Sequence, residues 1–305
     1  MRLATTTGDF DKITSSYKER VRLTVEAGFR YIDLSLYTIR EGDPLFAEQG
    51  WEEYAKELRA YAESLGARFV QCHSPNTNNL DGDVGYADAV WKTVRAIEIC
   101  GILGIENLVV HAGYSPDYKD KDEWFLENRR FYRELFPAME RYGVNVLCEN
   151  TTHVNMPDRY YIVSGAETRE FVEFVDHPRF GACWDTGHAN VEGPQYDEIV
   201  ALGDTLFAIH FNDNRGTCDE HLAPFMGTMN IDEVMHALLD VGFTGPLTFE
   251  CESGLRPSHY WFGDRVSYDA DRRFLEPTPA ARMGYEKYLF ALGVDILTTY
   301  GIYEA

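Results

Sequence analysis

Eight short apolar runs, each rich in β-branched and aromatic residues, alternate with longer amphipathic stretches along this chain, and no other feature constrains its fold as strongly. Parallel strands need a long crossover between them, usually a helix, so repeated strand and helix units predict a parallel sheet with helices packed outside it. The runs fall at Leu3–Thr6, Tyr31–Leu34, Phe69–His73, Asn107–His111, Asn145–Glu149, Phe180–Trp184, Leu206–Phe211 and Pro246–Glu250. Helical stretches fall between them at Ser16–Ala27, Trp51–Ser64, Gly85–Ile102, Trp124–Arg141, Ala166–Val175, Tyr196–Ala201 and Ile231–Val241, and Met283–Tyr300 closes the chain. Several helices run into a glycine that stops them just before the next strand, as in EAGFRYIDL, ESLGARFVQ, GILGIENLVV, ERYGVNVLCE and DVGFTGPLTFE. Eight such units in 305 residues predict the α/β class and a (β/α)8 barrel, which typically takes about 250 residues and often more.

No Pro/Ser-rich linker interrupts the pattern, so one barrel domain over residues 1–305 is expected. The stretch Gly254–Pro279 is aromatic, charged and too long for an ordinary connection. It is expected to be a loop insertion over the barrel mouth or a contact for a partner subunit.

Composition narrows the function. Hydrophobic residues at 45% and charged residues at 26% match soluble globular proteins. The opening MRLATTTGDF lacks the apolar centre of a secretory signal, and no run approaches the ~20 apolar residues of a membrane span. A cytoplasmic protein without membrane association is expected. The six cysteines form no C-x-x-C pair, which fits reduced thiols. Fifty acidic residues against 28 basic ones give a formal charge of −22, a field that opposes nucleic-acid binding.

Later strands end in metal-competent residues one after another. These are His73 in FVQCHSP, His111 in LVVHAG, Glu149 in NVLCEN, Asp185 in FGACWDTGH, His210 in FAIHFND and Glu250 in LTFECES. The catalytic face of such a barrel is the C-terminal end of its strands, so all six would converge on one mouth. Buried ionisable groups are costly unless paired or bound to metal, and a divalent ion accounts for the crowding. Carboxylates with imidazoles, and no clustered thiolates, suit Mn2+, Co2+ or Zn2+.

The segments Glu149-Asn150, Trp184-Asp185-Thr-Gly-His188, His210-Phe-Asn-Asp213 and Phe249-Glu250 resemble the xylose-isomerase-like TIM barrel superfamily, over nearly the whole chain. That superfamily includes sugar isomerases and epimerases and endonuclease IV. In its epimerase branch the resemblance implies that Glu149, Asp185, His210 and Glu250 bind one metal, while His188 and a following arginine, Arg215, bind substrate oxygens. His73 and His111 are further substrate-binding candidates. The pair Asp219 and His221 in CDEHLAPFMG, with His73, His111 and His188, also completes every position matching the nine ligands of the three-zinc site of endonuclease IV. A further metal set at His73, His111, His188, Asp219 and His221 is therefore an alternative.

The expected function is a metal-dependent isomerase or epimerase that moves a proton next to the carbonyl of a small carbohydrate, with Glu149 and Glu250 as the acid/base pair. No Lys/Arg cluster in the sequence is placed to hold a phosphate, so the expected substrate is unphosphorylated or modestly charged. The alternatives are an endonuclease IV-like trinuclear zinc phosphoesterase, a lyase-type enzyme that opens C-glycosides with a partner subunit, and a non-catalytic carbohydrate-binding module. The chain could act as a homo-oligomer. His153, His177, His236 and His259 lack ligand spacing and are expected in capping or solvated roles. Trp51 and Trp124 are expected in helix packing, with Trp261 free to stack on a sugar.

Overall fold

The computed structural model describes residues 1–76, 80, 82–113, 120–255 and 277–305. Eight strands close into a parallel barrel in sequence order: β1 (Leu3–Thr6), β2 (Tyr31–Ser35), β3 (Arg68–His73), β4 (Asn107–Val109), β5 (Asn145–Glu149), β6 (Phe180–Asp185), β7 (Leu206–Phe211) and β8 (Leu247–Phe249). Parallel pairing of Leu3 with Leu247, and of Thr5 with Phe249, completes the ring. The helices are α1 (Tyr17–Ala27), α2 (Trp51–Ser64), α3 (Gly82–Leu103), α4 (Lys121–Tyr142), α5 (Gly165–Val175), α6 (Thr186–Glu192), α7 (Tyr196–Leu202), α8 (Ile231–Asp240) and α9 (Pro279–Thr299).

Strand period and helix punctuation explain this layout. Outward residues such as Val146, Cys148, Ala182 and Trp184 join the main core beneath the helices, whereas Val109, Leu147, Cys183 and Ala208 form a small separate cluster inside the barrel. The glycines expected to stop helices lie at positive φ, as Gly143 does at 70°, a conformation costly for residues with a Cβ. Four helices start from a side-chain cap three residues ahead of a glutamate: Ser16 with Glu19, Asp120 with Glu123, Ser164 with Glu167 and Asn230 with Glu233.

The helix α6 was not expected. It begins directly at the end of β6, with Asp185 as its cap, and fills what the sequence suggests is a simple connection. Most of Gly254–Pro279, including His259 and Trp261, lies outside the described residues. Trp51 and Trp124 pack as expected: Arg95 lies 4.0 Å from the Trp51 ring centre, and Trp124 is fully buried against Phe171 and Tyr161. No helix among the described residues is long and apolar enough to cross a membrane.

Candidate active site and metal centre

Alternation along the strands delivers the site. Each inward residue is followed two positions later by a polar one at the mouth: Gln71 by His73, Val109 by His111, Leu147 by Glu149, Cys183 by Asp185, Ala208 by His210 and Thr248 by Glu250. His111 stands two residues beyond β4 and Glu250 one residue beyond β8, so the last step is made by the loop. His188 comes from the first turn of α6, and Asp219 and His221 come from the loop after β7.

These residues gather into three neighbouring ligand groups, the first two sharing Glu149. His73, His111 and Glu149 form one, Glu149, Asp185, His210 and Glu250 the second, and His188, Asp219 and His221 the third. In the first, His73 Nε2 lies 3.1 Å from His111 Nε2 and 3.7 Å from Glu149 Oε2, which is 2.8 Å from His111 Nε2. In the second, His210 Nδ1 lies 2.8 Å from Glu149 Oε1 and 3.1 Å from Glu250 Oε2. In the third, Asp219 places one oxygen 3.1 Å from His188 Nε2 and the other 3.1 Å from His221 Nε2.

The groups fit a divalent cation. Donors bound to an ion at about 2.1 Å stand roughly 3 to 3.5 Å from one another, close to the 2.8 to 3.7 Å found here. Buried Glu149 Oε2 and Asp219 Oδ1 make no hydrogen bond despite their histidine neighbours, so their lone pairs are open to a shared ion. The outer nitrogens are fixed by main-chain oxygens: His73 Nδ1 is 2.9 Å from Ser74 O, His188 Nδ1 2.9 Å from Asn150 O and His221 Nδ1 3.0 Å from Glu250 O. Such partners set the tautomer and aim the ligand nitrogen inward.

Electrostatics separate the two central carboxyls. Burial pushes Glu149 up, but His210 and His111 outweigh it and hold the group well below the usual carboxylate range. Burial pushes Glu250 up and prevails over His210 and His221, with Glu252 and Glu149 adding to the rise. Burial and then His111 drive His73 down to about 3, so it is a neutral donor at neutral pH. Burial works against His188⁺, yet Asp185 and Asp219 raise it to about 10.

Several supporting residues are not among the site candidates named from the sequence. Asn150 accepts from the Asp185 amide at 2.7 Å, and Asn212 Nδ2 donates to Asp185 Oδ2 at 2.7 Å. Tyr37 packs edge-on against His73 and His111. Asn150 and Asn212 directly follow a site residue or its strand, the one cue that could have found them. Arg215 is not brought to the pocket wall: its guanidinium pairs with Glu220 and its side chain is 55% exposed. The bland histidines behave as expected, with His153 paired to Glu192, His177 stacked on Phe136 and His236 bonded to Asp232 O.

Seven of the nine ligand residues, all but Asp185 and His210, line a mouth cavity of about 480 Å3. A closed (β/α)8 barrel with carboxylates and imidazoles crowding the C-terminal ends of its strands places the chain in the TIM barrel class. The chain belongs to the xylose isomerase-like TIM barrel family, whose signature matches residues 21–277.

The chain is 25% identical over 263 residues to inosose isomerase of Bacillus velezensis, spanning 81% of this chain and 86% of that one. It is 27% identical over 265 residues to an uncharacterized protein of Sinorhizobium fredii, spanning 77% and 82%. An uncharacterized protein of Methanocaldococcus jannaschii is 30% identical over 162 residues, and the match spans about half of each chain, 51% and 54%. In structure, D-psicose 3-epimerase from Clostridium cellulolyticum superimposes with a TM-score of 0.71 at 19% identity, over 97% of this chain and 99% of that one. The IOLI protein with a bound zinc atom gives 0.73 at 17% identity, over 98% and 99%. At these identities the two structures establish the barrel fold alone.

Proposed function

We propose that this protein is a divalent-metal-dependent isomerase or epimerase acting on a small carbohydrate. The observation that carries the reading is geometric: Glu149 and Glu250 stand on either side of His210, 2.8 and 3.1 Å from its Nδ1, so a bound substrate would meet a carboxyl group on each side. Similarity to inosose isomerase and to the epimerase barrel supports the same chemistry.

Glu149, Asp185, His210 and Glu250 would hold the ion, with Mn2+, Co2+ and Zn2+ as the candidates that suit this donor set. When bound there, the ion supplies Lewis acidity to a chelated carbonyl and so acidifies the neighbouring carbon-bound proton. Glu149 takes that proton, and Glu250 returns one from the other side of the substrate. Return to the same carbon inverts it, and return to the next carbon isomerises the sugar. His188 would bind a substrate oxygen once its Nε2 turns from Asp219 Oδ2, and His73 and His111 border the same space. Arg215 joins them only by swinging away from Glu220.

Metal-loaded protein incubated with ketoses and inososes in D2O should place deuterium on carbon next to the carbonyl. Glu149→Gln and Glu250→Gln should each lower the rate by about a hundredfold or more, the usual worth of a general acid or base. Near-normal turnover in either variant would remove the acid/base assignment.

A second reading rests on a specific observation: the nine residues matching endonuclease IV all assemble in the three ligand groups. It would make the chain a trinuclear zinc phosphoesterase. The charge of −22 opposes a polyanionic substrate. About three zinc ions per chain on elemental analysis, with cleavage of abasic DNA, would favour it over the sugar enzyme.

A further inference from the structure

Opposite the ligand groups, the pocket has a second face, built from the loops after β1 and β2 and the start of α9. Asp9, Asp11, Lys12, Arg40 and Arg282 lie on it. Both Arg20 and Arg40 pair with Asp11, the latter at 3.3 Å, so one carboxylate serves two guanidinium groups. Lys12 adds an exposed ammonium beside them. The Arg282 side chain is only 4% exposed; Nη2 donates to Glu252 O at 2.6 Å and Nη1 lies 3.7 Å from Glu286 Oε1. Neither Nε nor Nη1 of Arg282 makes a hydrogen bond.

Behind Arg282 lie the buried carboxyl groups of Asp9 and Glu286, both raised first of all by burial. The Glu252 carboxylate stands 3.5 Å from His221 Nδ1. Three cations line this face, Lys12, Arg40 and Arg282, among the acids Asp9, Asp11 and Glu252. Arg40 is already paired with Asp11, so the donors open to a ligand are the Lys12 ammonium and the unfilled guanidinium nitrogens of Arg282. Buried guanidinium donors left unfilled are costly, and a ligand oxygen would satisfy them.

We infer that this face is a subsite for an anionic group on the substrate, a carboxylate or a phosphate, with Arg282 holding it from the floor and Lys12, beside Arg40, from the rim. The inference rests on the sugar isomerase or epimerase reading and narrows the substrate to an acidic or phosphorylated sugar. A carboxylated sugar stays within the expectation of an unphosphorylated or modestly charged substrate drawn from the sequence, whereas a phosphorylated one departs from it. The cations come from three distant segments, so no cluster shows until the barrel closes.

The test is calorimetric titration of metal-loaded protein with D-fructose, D-fructose 6-phosphate and the keto acid D-fructuronate. At least one anionic sugar should bind about tenfold or more tightly than D-fructose, as charge-assisted hydrogen bonds predict. That ratio should fall by about tenfold in a Lys12→Met, Arg40→Met double variant whose metal content and melting temperature match the natural protein. Which anion gains distinguishes carboxylate from phosphate. Equal affinity for all three sugars, or a ratio unchanged in the double variant, overturns the subsite while leaving the sugar reading intact. If no sugar binds, the sugar reading fails, and inorganic phosphate decides the subsite. Phosphate affinity lowered by the double substitution supports it, whereas unchanged or absent phosphate binding overturns it.

Discussion

At the residue scale, Gly187 shows how tightly the ligand cradle is built. A Cβ there would stand 1.8 Å from Asn212 Oδ1, and Asn212 is the side chain that steadies Asp185. Gly187→Ala should displace Asn212, cost about 1 to 3 kcal/mol of stability through overpacking, and weaken metal binding by about tenfold or more, the usual cost of a lost supporting contact. Denaturant melts and metal titration of the variant would check both. Asp9 makes a pH prediction. Burial raises it from 3.8 to about 7, so the folded protein holds a proton there that the unfolded chain has released. The stability this group contributes is full below about pH 4 and is lost as pH rises through about 7. Asp9→Asn has no such proton to lose, so its melting temperature relative to the natural protein should climb between about pH 4 and about pH 7 and level off above that. A difference that stayed constant with pH would contradict the assignment.

At the element scale, β6 and α6 are joined through one side chain that does two jobs. Asp185 Oδ1 accepts from the His188 amide at 2.6 Å as the cap of α6, while the same carboxylate belongs to the second ligand group. Asparagine caps as well as aspartate, and Asn212, whose Oδ1 is buried without a partner, can turn its amide over to accept from the new NH2. Metal-free Asp185→Asn should therefore melt within about 1 kcal/mol of the natural protein, whereas Asp185→Ala should lose about 1 kcal/mol or more with the cap. Calorimetry on the metal-free forms would separate them, and both should bind metal poorly. The strands were legible because their apolar runs are short and bounded, and the mouth was legible because His73, Glu149, His210 and Glu250 each follow such a run. The short α6 was not: its helix lies in a stretch rich in small and polar residues, with no apolar period to read. Helix starts were misplaced at α3, α4 and α9, although the cap at Asp120 with Glu123 marks the true start of α4. The cation group on the pocket's second face was invisible, since Lys12, Arg40 and Arg282 share no local pattern.

For the whole molecule, closure of the barrel is what brings ligands from β3 to β8 together, so ion binding should report on global folding. An ion held only by the folded state at a hundredfold excess over its Kd adds about 2.7 kcal/mol. Chelation should thus lower the melting temperature by about 5 °C, and resupply of Mn2+, Co2+ or Zn2+ should restore it. No change on chelation would argue that the ligand groups are held without an ion. Glu149 gives this arrangement its character, because one oxygen turns toward His111 and the other toward His210. A carboxylate straddling two neighbouring compartments ties their fates together: filling either one anchors the hinge of the other, so the mouth should load and empty as a single cooperative unit.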